Sequence, residues 1–274
     1  MSEIITFPTR MKVEMQGRSV AEFRSTLKGM RNSIVQSHTA ALEAATAKLV
    51  DVGDYPESRI LGPEDSVNWL QATTEDRIWG LIGTRVNSYG DGAIYNMKVQ
   101  CDRCPKSYTR RTDLRPIEDG GDLVIWGFEK DEHREAFKQG LPFEGKLGER
   151  GIKWRMAYGT DEELIEKLSK DNPNAETDDL NLNCRIVEVE GMHRNDVMTW
   201  IRKLGDDRIA LTDLMSEASA GVDLVVDTRC PWCNSDGEAT IPFDLEFWIP
   251  VVAAERDRRR RRKDAALIRM AEKN

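Results

Sequence analysis

Two Cys-x-x-Cys pairs, Cys101/Cys104 and Cys230/Cys233, constrain this chain more than any other feature. A two-residue spacer lets both thiolates of one tight turn reach the same ion at about 2.3 Å, and two such turns complete a tetrahedral set of four. The intervening stretch, residues 105–229, is 125 residues long, longer than the spacing usual in compact zinc ribbons. Spacing alone therefore leaves two other readings open: separate buried thiol pairs, or cysteines that act as small core residues.

The local pattern favours a shared ion. Tyr95, Met97, Val99 and Cys101 alternate with Asn96, Lys98 and Gln100, the period of a half-buried strand, and 107–111 returns as its partner. The second pair repeats this plan. Val222, Leu224, Val226, Thr228 and Cys230 alternate on the way in, and Ile241, Phe243, Leu245, Phe247 and Ile249 on the way back. Two hairpin tips converging on a structural zinc ion are predicted, with Cys101, Cys104, Cys230 and Cys233 as ligands. Shared in this way, the ion closes a long loop, worth roughly 4–5 kcal/mol of unfolded-state entropy on the disulfide model.

The same residues argue against catalysis. Four thiolates leave no position open for water, and His38, His133 and His193 lack ligand spacing. Asp-Glu-His-Arg-Glu at 131–135 lacks the paired histidines of a metalloprotease helix. A thioredoxin-like reading needs a helix after one pair, and neither is followed by a helical period. Cys184 has no histidine nearby to activate it and reads as an ordinary small buried residue. Glycine-rich phosphate loops and serine-nucleophile motifs are absent from the sequence, so an enzyme is not expected.

Elsewhere, Val20, Phe23, Leu27, Met30 and Ile34 recur at helical spacing and run on through Ala41, Ala44 and Ala45. Ser19 and Glu22 form a capping pair at the start, and Gly53 and Pro56 mark the end. A second helix is predicted from Thr74 to Tyr89, stopped by Gly90. Ile152, Trp154, Met156 and Tyr158 share one strand face, followed by a helix capped by Thr160 and Glu163. Residues 171–179 read as a loop, with further helices at 195–204 and 209–218. The predicted fold class is α+β: mixed helices with β-hairpins, two of which converge in a zinc-ribbon-like four-cysteine site. Residues 1–92 form a mainly helical region, 93–254 an α+β region closed onto the first zinc hairpin, and 255–274 an Arg-rich helical tail.

Charge bears on partners. The chain carries a formal net charge of -8, yet residues 255–274 hold nine Lys/Arg against four Asp/Glu, leaving -13 for the rest. An acidic body repels phosphate backbones, so any nucleic-acid contact runs through the cations from Arg258 to Lys263. That run also suits a solvated tail or an acidic partner. Trp248 faces opposite Phe247 in the alternation and is an interface candidate. No stretch approaches the roughly 20 apolar residues of a membrane span, and the first ten residues lack a secretion signal's apolar core, so a cytosolic chain is expected.

Taken in order, several segments resemble the baseplate-hub assembly proteins of contractile-tailed, T-even-type bacteriophages. These are Asp76-Arg77, Thr84-Arg85-Val86-Asn87-Ser88-Tyr89-Gly90, Cys101-Asp-Arg-Cys104, Leu141-Pro142, Trp154-Arg155 and Thr160-Asp161-Glu162-Glu163. Gly221-Val222-Asp223, Cys230-Pro-Trp-Cys233 and Ile241-Pro242-Phe243 continue the match, which covers about residues 19–250. Pro105 and Asn234 depart from the pattern, standing where a glycine would follow each pair. The resemblance implies a non-enzymatic protein of the virion tail baseplate, assembled in the host cytoplasm. It also implies contact with hub, spike or tape-measure proteins and several copies in a symmetric assembly. The competing expectation is a zinc-ribbon nucleic-acid-binding regulator that uses the Arg-rich tail.

Overall fold

In the computed structural model, residues 2–19, 22, 33–89, 93–174, 176–243 and 247 are described. The fold is α+β with antiparallel hairpins, as the sequence predicts. The N-terminal region holds a three-stranded antiparallel sheet that the pattern reading missed, made of β1 (Ser2–Thr6), β2 (Lys12–Gln16) and β3 (Thr46–Asp51) in that order. The signal was present in Lys-Val-Glu-Met-Gln, whose Val13 and Met15 are buried between more accessible neighbours.

The expected long helix is divided. At its start Ser19 N–H donates to Glu22 Oε2 at 2.7 Å and Glu22 N–H returns to Ser19 Oγ at 3.3 Å. Val20, Phe23, Leu27 and Met30 lie outside the described residues. Helix α1 (Ile34–Ala45) then has its own start, where Ser33 Oγ accepts the Gln36 N–H. It ends at Ala45 rather than at Gly53 or Pro56. Thr46 turns the backbone extended, and the following residues gain a ladder with β2 that buries Leu49. Tertiary pairing overrides helical propensity here. A single helical turn, α2 (Glu57–Ile60), follows.

Helix α3 (Thr74–Ser88) matches its predicted span and forms the axis of the molecule, buried on most sides. Gly80 and Gly83 permit this: a Cβ on Gly80 would sit 2.8 Å from Leu42 Cδ2, and one on Gly83 2.3 Å from Ile5 Cδ1. The same helix buries charge. Asp76 accepts bonds from the Thr9 hydroxyl and, at 2.8 Å, from Tyr55. Burial pushes its carboxyl up to about 6, while those donors hold the rise in check. Arg77 donates to Trp69 O at 2.9 Å, Thr39 Oγ1 at 3.1 Å and Glu162 Oε2 at 3.1 Å. Arg85 donates to Ile94 O at 2.9 Å and also to Phe247 O.

Strands β4 (Ile94–Gln100) and β5 (Ser107–Asp113) form the first predicted hairpin, paired from Ile94↔Asp113 to Gln100↔Ser107. A two-residue strand β6 (Ile125–Trp126) and helix α4 (Asp131–Lys138) follow. A second three-stranded sheet contains β7 (Phe143–Leu147), β8 (Arg150–Trp154) and β9 (Ile186–Val189). Met156 and Tyr158 are buried as expected, though the strand ends at Trp154. Helix α5 (Gly159–Asp171) starts two residues earlier than predicted. Its capping carboxylate is Asp161, which accepts the Tyr158 N–H at 2.9 Å and pairs with Arg155 at 2.6 Å, in place of a Thr160/Glu163 pair.

Helix α6 (Thr177–Arg185) takes up the end of the expected loop, and α7 (Val197–Ile201) and α8 (Asp207–Glu217) agree with the later helices. The run into the second hairpin is broken. Gly221–Val222 is a separate strand, β10, paired with β6, because the Asp223 carboxylate accepts the Val225 N–H and turns the chain. The hairpin itself is β11 (Val225–Arg229) with β12 (Asp236–Thr240). Its return therefore precedes the apolar run that begins at Ile241. Ile241 and Phe247 are buried outside that hairpin, and Leu245, Trp248 and Ile249 lie outside the described residues.

Removing one partner from a buried, hydrogen-bonded charge leaves the others unpaired. Arg77→Met is expected to destabilise the fold by about 3–5 kcal/mol, read as a lower urea midpoint with unchanged slope.

Candidate metal centre

The two hairpins are closed by tips of equal length, residues 101–106 and 230–235, and the tips share a backbone plan. Cys101 N–H donates to Lys106 O at 3.1 Å, and Cys230 N–H donates to Ser235 O at 2.9 Å. Each bond holds the chain in a tight turn that carries two cysteines. In the first tip the amides of Arg103 and Cys104 also point at Cys101 Sγ, both at 3.4 Å. In the second, Asn234 adopts φ +55°, so it supplies the left-handed conformation expected of a glycine. Pro105 cannot take that conformation, and the first tip turns without a residue of positive φ.

These turns bring together all four predicted ligands from opposite ends of a 125-residue separation. Cys101 Sγ lies 3.7 Å from Cys233 Sγ and Cys104 Sγ lies 3.7 Å from Cys230 Sγ, with all four sulfurs within 4.8 Å of one another. An ion with four sulfurs at about 2.3 Å has tetrahedral edges of about 3.8 Å. The two pairs at 3.7 Å match that edge. All four cysteines are free thiols, and the cluster could hold a metal ion. Cys101 and Cys230 are buried, Cys104 is half-buried and Cys233 is exposed, so the site sits at the surface with its inner half against the hairpins.

Protonation shows what the cluster lacks without a cation. The Ser235 hydroxyl and the Arg103 amide hold the Cys101 thiol down at about 6, and Ser235 also lowers Cys233. Cys104 is pushed up to about 12: the Lys106 amide opposes the rise, while burial and the thiols of Cys101, Cys230 and Cys233 drive it. Several thiolates at this separation repel one another, and a cation between them removes the conflict.

Ser235 is the site residue that sequence reasoning missed. Its Oγ lies 3.1 Å from Cys233 Sγ and 3.5 Å from Cys101 Sγ, reaching one thiol of each pair. Its position two residues past the second pair was the available signal. Cys184 stands apart on α6, its thiol raised by burial. Among the described residues no histidine joins the cluster. Burial, with Arg77 nearby, drops His38 to about 4; His133 packs edge-on against Phe143 and His193 accepts the Asn195 N–H. No helix among the described residues is long and apolar enough to cross a membrane.

Comparison with protein-family models, curated proteins and solved structures returns no match to this chain.

Because thiolates bind metal and thiols do not, protons compete with an ion for all four sulfurs. Acidification is expected to release the metal, followed by a thiol-independent metal dye. Cys230→Ser, or chelation of the unchanged chain, is expected to lower stability by about 4–5 kcal/mol through reopening of the long loop, measured by denaturant unfolding.

Proposed function

We propose that this chain is a non-enzymatic structural or assembly protein of a contractile bacteriophage tail baseplate hub, with a structural zinc ion held by Cys101, Cys104, Cys230 and Cys233. The observation that carries the reading is the convergence of four thiols within 4.8 Å of one another, two pairs of them 3.7 Å apart. A four-thiolate set suits zinc. With every coordination position filled by sulfur, the ion has a scaffolding part and no place for substrate.

The tail assignment is supported by the ordered segments that resemble baseplate-hub assembly proteins. Several of those residues form the polar frame: Asp76, Arg77 and Arg85 are buried on α3, and the half-buried Arg155 pairs with the buried Asp161. Others form the metal tips. Side chains with such constrained surroundings are the ones a shared fold would keep. The proposed partners are hub, spike or tape-measure proteins, met in several copies within a symmetric tail that assembles in the host cytoplasm.

Co-expression of the full chain with hub, spike and tape-measure proteins of contractile-tailed phages tests this reading. A complex that survives gel filtration and is lost on chelation is expected. Failure with each of these partners, together with duplex DNA binding that weakens steeply with salt, would instead establish a zinc-dependent nucleic-acid-binding regulator.

A further inference from the structure

The four sulfurs of the metal centre are not equally placed. Cys101 and Cys230 are buried and Cys104 is half-buried, whereas Cys233 is exposed. Pro231, Trp232 and Asn234 beside it are exposed as well, so solvent reaches this thiol over an open stretch of the second tip. Both 3.7 Å contacts join one tip to the other, Cys101 Sγ to Cys233 Sγ and Cys104 Sγ to Cys230 Sγ. The exposed thiol therefore has a neighbour on the opposite hairpin, 132 residues away in sequence.

Cysteine sulfur is oxidised where a reagent can reach it, and a second sulfur alongside captures the product as a disulfide. A disulfide holds its sulfurs about 2.05 Å apart, so joining Cys101 to Cys233 needs an approach of less than about 2 Å between the tips.

We propose that Cys233 is a modification site for hydroperoxides, and that its oxidation exchanges the metal ion for a disulfide between Cys101 and Cys233. The Cys233 sulfur attacks hydrogen peroxide. An S–O bond forms and the O–O bond breaks; the sulfur gives up two electrons to become a sulfenic acid, and the departing oxygen takes a proton and leaves as water. Cys101 then attacks the Cys233 sulfur, so that an S–S bond forms, the S–O bond breaks and hydroxide leaves with a proton from solvent as a second water. Two thiolates, one hydrogen peroxide and two protons thus yield one disulfide and two waters. An ion deprived of two of its four sulfurs is released. The new bond joins the same two tips as the ion, so the long loop between the hairpins stays closed. The fold thereby outlasts the loss of its ion under oxidising conditions. This deepens the metal reading and rests on it; it does not depend on the tail assignment.

Hydrogen peroxide added to the full zinc-loaded chain tests the exchange, with zinc content measured beforehand and release followed by a metal dye. Dimedone, which traps sulfenic acids, is expected to tag Cys233 before any other cysteine. Without the trap, peptide mapping is expected to find Cys101 joined to Cys233, with zinc released in step, and Cys184, which stands apart from the cluster, still free. The oxidised, metal-free chain is expected to unfold near the denaturant midpoint of the zinc-loaded one and well above that of the reduced, chelated one. Cys233→His keeps a zinc ligand but offers no sulfur to oxidise, and is expected to slow peroxide-driven release about tenfold or more; mapping of the unchanged chain reads the same step without a variant. A first tag on Cys104, a disulfide confined to Cys230 and Cys233, or zinc retained at peroxide concentrations that oxidise glutathione overturns the proposal and leaves the four-sulfur site standing. A chain that carries no zinc before oxidation strikes the metal reading itself, and this exchange with it.

Discussion

Closure of a long loop by four sulfurs is the constraint on which this fold depends. The two hairpins are small, two-stranded units, and an isolated two-stranded hairpin is marginal in water. Here the tips of the two hairpins meet, with all four sulfurs within 4.8 Å of one another. The equal six-residue tips and their matched backbone bonds place one thiol of each pair against one of its opposite number. An ion held by these sulfurs would join the tips by chemistry that needs no apolar core, which suits a site at the surface.

The far ends of the same region are joined by a different device. Arg85, buried on the central helix, donates to Ile94 O at the base of the first hairpin and to Phe247 O beyond the second. The Phe247 ring meets Tyr95 at 5.5 Å between centroids. Sulfurs thus tie the tips and a guanidinium ties the chain at their bases. On the same helix Arg77 joins Thr39 of α1 to Glu162 of α5, and Asp76 joins Thr9 to Tyr55, by the same principle. Buried charges in this arrangement specify position through their fixed partners, and removing any one partner leaves an expensive neighbour.

The sequence made some of this legible and hid the rest for physical reasons. Both cysteine pairs and the first hairpin could be read because alternation and tip chemistry coincide from Tyr95 to Arg111. Helix Thr74–Ser88 could be read because its apolar and capping signals agree. The N-terminal sheet was hidden because its pairing is non-local: β3 reads as a continuation of the alanine-rich helix until β2 is beside it. The second hairpin's return was misplaced because the strand that returns, Asp-Gly-Glu-Ala-Thr, has little apolar content, while Ile241 and Phe247 after it belong to the core. Ser235 was overlooked because a lone serine carries no motif; only the folded tip sets its hydroxyl between two thiols.

One ion shared by both pairs would fasten the two hairpins to each other. X-ray absorption at the zinc edge, on the full chain purified without added chelator, reads that arrangement directly. One zinc per chain in a shell of four sulfurs at about 2.3 Å is the predicted result. A shell with nitrogen or oxygen donors replacing sulfur, or a chain that binds no metal while its hairpins stay folded, would contradict it.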